Sequence, residues 1–147
     1  MVVASLLFLN CRSQQKANAS LQEAKKEIAE KNEMYFRSFA TGDSSLLISC
    51  YAEDSWIMQS NTPVLCGTDA PLDFFKFAYH LLGVRKGKFI TIDIFGTDGE
   101  FLTEVGFWKT LNGNNDVLGD GQFLVLWKKT PDGWKRYRDS FTSIGNK

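Results

Sequence analysis

No block of like charge runs through this chain: its 17 Lys and Arg are matched by 17 Asp and Glu, for a formal net charge of zero. The basic stripe with which proteins track phosphate backbones is missing, and nucleic-acid binding is excluded on that ground. Histidine occurs once, as His80, and the three cysteines (Cys11, Cys50, Cys66) form no C-x-x-C pair, so a zinc site is not expected. The glycine-rich phosphate loop, the nucleophile elbow and metal-ligand spacing are likewise absent. No cofactor is expected, and any reaction would be acid–base chemistry on a mostly apolar molecule. No apolar run is long enough to span a bilayer as a helix.

What is abundant is aromatic surface. Aromatics make up 14% of the 147 residues, with 12 phenylalanines, inside a hydrophobic fraction of 44%. One domain of this length buries a real core without disulfides or metals. So many rings suit either large interior spaces or a pocket walled by aromatic side chains. Cys50 in an apolar helix and Cys66 before a glycine read as small buried hydrophobes, with a disulfide between them left open. Near the N-terminus, Val2–Leu9 is apolar and is followed by Asn10, Cys11 and the polar tract RSQQKANAS. That order resembles a bacterial lipoprotein signal. It would make Cys11 a lipidation site and residues 1–19 a signal-like segment and polar tether. It departs from the pattern in lacking a basic residue before the apolar run. Export and anchoring on the periplasmic side of a cell envelope would follow; otherwise the protein would be cytoplasmic, with residues 1–19 as a loose arm.

From residue 20 the chain reads as one folded unit, 20–147. Ser20 followed by Glu23 forms a capping box that predicts a helix start. Leu21, Ala24, Ile28, Tyr35 and Phe39 then recur at helical spacing opposite Lys25, Lys26, Glu30 and Lys31. Gly42 ends this helix, and Asp43 caps a second that carries Leu46, Leu47, Cys50 and Tyr51. Trp56–Gln59 is a short strand, and Asn61-Thr62-Pro63 a turn. Thr68 or Asp69 caps a third helix, PLDFFKFAYHLLG, apolar almost all round. Alternation then predicts strands over Lys88–Thr97, Glu100–Lys109, Gly121–Thr130 and Trp134–Ile144, with hairpins at Asp98-Gly99 and Asp132-Gly133. Leu111–Asp120 is a flexible connection. The fold class is α+β: three N-terminal helices packed on a strongly curved, mostly antiparallel sheet.

The run EMYFRSFATGDSSLLISCYAEDSWIMQSNTPVLCG, together with EVGFWKTLNG and DGQFLVLWKKTPDGWKRYRDSFTS, resembles the SnoaL-like and ketosteroid-isomerase-like proteins of the nuclear-transport-factor-two-like superfamily. The resemblance implies a cone whose open end is a ligand pocket. In ketosteroid isomerases a tyrosine eight positions before the aspartate of the Gly-Asp corner donates to a developing enolate oxygen, and Tyr35 stands in that place. Packing in the core is its other reading. An aspartate base beside a tyrosine is the worked example of tuned carboxyl chemistry. Here the position of that base holds Gln59, and an amide cannot take up a proton near neutral pH, so steroid isomerisation by that route is disfavoured.

Other proton handlers lie on the strands. Alternation places Tyr137, Asp139 and Phe141 on one face of the last strand and Trp134, Arg136, Arg138 and Ser140 on the other. An aspartate between two aromatics suggests a carboxylate in an apolar cavity, where desolvation disfavours its charge. Glu104 shares a face with Gly106 and Trp108, and either joins Asp139 in the cavity or pairs with Arg136, Arg138 or Lys128 on a wet face. His80, near the end of the third helix, would either reach the cavity mouth or lie on the surface. Trp56, Met58, Trp108, Trp127, Tyr137 and Phe141 are candidate walls, with packing in the core as the other reading of a large aromatic in a strand. The resulting expectation is a pocket for a small apolar or aromatic ligand. In a catalytic form, an isomerase, cyclase or dehydratase, Asp139 or Glu104 would handle the proton and Tyr35 would polarise an oxygen. The alternative is a non-catalytic association module that pairs as a homodimer through its sheet face.

Overall fold

The computed structural model describes residues 3–96 and 99–144, with side chains from residue 16 onward. Its elements run α1 (Val3–Thr41), α2 (Ser44–Ile48), β1 (Tyr51–Gln59), β2 (Leu65–Cys66), α3 (Ala70–Lys76) with a following π-helical turn (Phe77–Leu81), β3 (Lys86–Phe95), β4 (Phe101–Leu111), β5 (Val117–Thr130) and β6 (Gly133–Ser143). The sheet is a single curled, open layer in the order β2-β1-β6-β5-β4-β3. Only β1 and β6 pair in parallel; every other neighbour is antiparallel. The expected α+β arrangement of helices on one face of a curved sheet is what the chain adopts.

Four boundaries differ from the sequence reading, each for a local reason. Ser20 and Glu23 do not begin a helix; α1 runs continuously through them, since the capping-box residues are also compatible with a helix interior. Tyr51-Ala52-Glu53-Asp54 opens β1 and is not a helix end, because α2 closes at Ile48. The third helix widens into a π turn at Phe77, where Leu82 N–H donates to the Phe77 carbonyl at 3.1 Å. Leu111–Asp120 is mostly ordered: Asn112 Oδ1 accepts from the N–H groups of Asn114 and Asp116, Asn115 sits at φ 69°, and β5 starts at Val117. Asp98 and the side chain of Cys11 lie outside the described residues. Cys50 and Cys66 are both free; Cys50 is buried, whereas Cys66 is exposed on β2 and does not act as a core residue. Burial pushes the Cys50 thiol up, which keeps it a protonated, packing side chain.

One face of α1 holds the fold together. Ala24, Ile28, Asn32, Tyr35 and Phe39 repeat at three- and four-residue steps and are all buried. The first two pack with Val125, Trp127 and Trp134 at the closed end of the cone, and the last two with Phe74 and Phe75 toward its open end. Glu27 fixes the helix to the sheet by accepting from Trp134 N–H at 2.8 Å. Strand glycines make room for rings on the inner face. A Cβ at Gly106 would lie 2.8 Å from the Phe123 ring and 2.2 Å from the Ile90 carbonyl oxygen. At Gly121 it would lie 2.7 Å from the Trp108 indole nitrogen. No other residue fits either place without a shift of the sheet.

Candidate functional site

Register sorts the inner face into rows from the closed end to the open end. Arg136, Trp127 and Leu102 form one row; Ile57, Asp139, Val125, Glu104 and Ile94 the next; Gln59, Phe141, Phe123, Gly106 and Thr91 the third; Ser143, Gly121, Trp108 and Phe89 the fourth. Asp139 and Glu104 thus belong to one cross-strand row, separated by Val125. Arg136 joins them on this face because of a β-bulge. Leu126 pairs with Arg138 and Trp127 with Arg136, so Tyr137 is an extra residue that shifts the alternation by one. The expected faces are corrected accordingly. Arg136 and Asp139 both point inward, and Tyr137 goes to the outer face, where the Arg138 guanidinium lies 3.7 Å from its ring centroid.

The inward groups form a continuous polar network. Glu104, with no exposed surface, accepts from Asn32 Nδ2 at 2.8 Å and Thr91 Oγ1 at 2.6 Å on one oxygen, and from Trp127 Nε1 at 2.9 Å on the other. Asn32 Oδ1 accepts from Arg136 Nη2 at 2.6 Å. Arg136 Nη1 reaches Asp139 Oδ2 at 3.1 Å, and Tyr51 donates its hydroxyl to the same oxygen at 2.5 Å. The guanidinium is enclosed by Phe89, Tyr35 and Trp127, with ring centroids 4.5 to 5.0 Å away, a cation–π cage. Burial by itself disfavours the guanidinium, yet Asp139, Tyr51 and Glu104 outweigh it and hold its pKa above the usual value. Arg136 is therefore a fixed cation. Burial, reinforced by the nearby Asp139, also pushes the Tyr35 and Tyr51 hydroxyls well up, so both remain protonated donors.

Above this network opens a cavity of about 410 Å³, within the range of small-molecule pockets. Its walls are rings from six elements: Tyr35, Phe36 and Phe39 of α1, Phe74 of α3, Phe89 of β3, Trp108 of β4, Phe123 of β5 and Phe141 of β6. Asp139 and Gln59 also line it. Its mouth lies where the π turn faces the β4–β5 hairpin, rimmed by Leu81, Leu82 and Leu118, all exposed. Asp139 is only 3% exposed, and among the described residues no donor reaches its Oδ1. A carboxylate oxygen without a protein donor, at the wall of a cavity of this size, is an acceptor available to a ligand.

Five of the residues picked from sequence therefore come together: Tyr35, Gln59, Trp108, Asp139 and Phe141. Glu104 lies in the same row as Asp139 but is sealed behind the wall, neither in the cavity nor on a wet face. Trp56 is exposed on the outer face beneath Arg138, where Tyr137 also lies, and neither they nor Met58 line the cavity. His80 is exposed on the π turn with its ring against Tyr79 and stays outside as well. Sequence reasoning missed Asn32, Tyr51 and Thr91. Asn32 left a signal, a polar residue at a core position of the α1 stripe; the other two left none. Among the described residues no three His, Cys, Asp or Glu side chains gather as metal ligands.

The architecture is the NTF2-like, cystatin-like cone fold. No protein-family model and no curated protein matches the sequence. Solved structures match along most of the chain. An NTF2-like protein with a cystatin-like fold from Novosphingobium aromaticivorans is 17% identical, with 92% of this chain and 91% of that chain covered at a TM-score of 0.73. A ketosteroid isomerase-like protein from Erwinia carotovora atroseptica is 18% identical over 80% of this chain and 93% of its own, at 0.64. A protein from Xanthomonas campestris, provisionally named a calcium/calmodulin-dependent protein kinase II association domain, is 14% identical over 82% and 88%, at 0.65. At these identities the likeness is one of fold.

Proposed function

We propose that this chain is a small-molecule-binding domain whose ligand lies in the aromatic cavity and meets Asp139 with a polar group. One observation carries the reading: a nearly buried carboxylate leaves one oxygen without a protein donor, in a ligand-sized space walled mostly by aromatic and aliphatic side chains. In a catalytic form, Asp139 would move a proton and Tyr35, held protonated, would polarise an oxygen. The class would be an isomerase, cyclase or dehydratase. Glu104 drops out of that chemistry because three donors already occupy its two oxygens. Attachment to a membrane through Cys11 is a separate part of the proposal, read out by incorporation of labelled palmitate.

The test is an NMR screen of ring-bearing small molecules that follows the four tryptophan indole N–H signals. Trp108 lines the cavity and Trp56 lies outside it, so a binder should move the Trp108 signal and leave that of Trp56 in place. No shift, or a shift at Trp56 alone, overturns the reading.

A second reading, association through the sheet, is favoured by the outer face. Ile90, Ile92, Phe107 and Leu124 are exposed there together, an apolar area of the kind that marks contact surfaces. The two readings use opposite faces of one sheet and do not compete for residues.

A further inference from the structure

We propose that the ligand of this cavity is an organic cation, an amine with an apolar or aromatic body, bound with its nitrogen on Asp139. This rests on the ligand-binding reading and narrows it. Charge balance is the first observation. Among the described residues the buried ionisable carboxyls and bases are Glu104, Asp139 and Arg136, two acids against one base in a single network. An excess negative charge in a low-dielectric interior is costly, and a cation in the cavity offsets it. Direction is the second. Arg136 and Tyr51 both bind Asp139 Oδ2, so the oxygen left over is the one a ligand would meet.

The wall is the third observation. Eight rings line the cavity, and ring faces attract cations. Asp139 is the only Asp or Glu among the described lining residues, and no Lys, Arg or His lines the cavity to receive a carboxylate. Arg136, the one buried base, is covered by Tyr35, Phe89 and Trp127, and its Nη atoms are committed to Asn32 and Asp139. Only its Nε lacks a partner. An anion entering from the mouth would meet a carboxylate and not a guanidinium.

Calorimetric titration with three probes of matched shape tests this: 2-phenylethylammonium, 2-phenylethanol and 3-phenylpropanoate. The ammonium ion should bind at least about tenfold tighter than the alcohol, since both donate to the carboxylate but only the ammonium ion adds an opposite charge, with the carboxylate weakest. Asp139→Asn should abolish the preference for the ammonium ion while the alcohol still binds. The wild-type series decides the question even if that variant does not fold. Alcohol binding as well as or better than the ammonium ion, or the carboxylate binding tightest through Arg136, overturns the cation proposal and leaves the cavity reading standing. Failure of all three to bind overturns both.

Discussion

Glu104 and Asp139 share one cross-strand row, yet the two sides of that row treat them in opposite ways. On β4, Glu104 has no exposed surface and spends both oxygens on Asn32, Thr91 and Trp127. On β6, Asp139 holds Arg136 and Tyr51 on one oxygen and leaves the other to the cavity. One acid is a cross-link and the other a docking point. Burial alone does not separate the two roles; the count of donors per oxygen does.

The comparison can be broken most severely through Arg136, which ties the two acids together, Asp139 directly and Glu104 through Asn32. Arg136→Leu leaves two buried carboxylates without their cation and should cost about 3–5 kcal/mol of stability in urea unfolding, or prevent folding. A loss under 1 kcal/mol would mean that the network is solvated and the cone is not sealed. Next come the acids themselves. Glu104→Gln puts an amide N–H₂ against a donor and should cost about 1–3 kcal/mol. Asp139→Asn can turn its amide toward the free side and should cost less stability, while losing the preference for an ammonium ion that Glu104→Gln keeps. Equal behaviour of the two variants would erase the distinction drawn here. Gly121→Ala, which brings a Cβ against the Trp108 indole and the β6 backbone, should cost about 1–3 kcal/mol by overpacking.

Alkaline titration probes the tyrosine hydroxyls packed around Asp139 and Arg136. Tyr35 and Tyr51 have raised pKa values in the folded state, so the folded protein keeps protons that the unfolded chain releases near pH 10. Their contribution is complete below that pH and is lost as pH rises above it, by about 1.4 kcal/mol per pH unit for each tyrosine. Tyr35→Phe should make the decline of stability above pH 10 shallower; an unchanged slope would place that hydroxyl in contact with solvent. The smallest effect on stability is expected on the outer face. Ile92→Lys, at a residue 65% exposed, should change monomer stability by no more than about 0.5 kcal/mol. In sedimentation it should turn any dimer into monomer, and a dimer that persists would remove the association reading from this face.

The layers of the cone and its meander of long strands were legible because helical spacing in α1 and alternation in β3 to β6 are strong periodic signals; the parallel pairing of β1 with β6 and the short β2 were not. Alternation also put Asp139 and Phe141 on one strand face, and both line the cavity. The partner of Asp139 was not legible. A bulge at Tyr137 carries no distinctive residue type, and without it strict alternation puts Arg136 on the wrong face of the sheet. Trp56 and Met58 were assigned to the pocket as large side chains in a strand, but side-chain size does not say which face a strand turns inward. The sealing of Glu104 depends on Asn32, Thr91 and Trp127, donors from three elements far apart in sequence, and only Asn32 interrupts an apolar stripe visibly.

The most direct test is a crystal structure of the protein soaked with 2-phenylethylammonium. The account predicts the phenyl ring among Phe74, Phe141 and Trp108, with its nitrogen within hydrogen-bond distance of Asp139 Oδ1 and Glu104 still bound to its three protein donors. A molecule seated elsewhere, or lying in the cavity with its nitrogen turned toward Leu81 and Leu82 at the mouth, would contradict it.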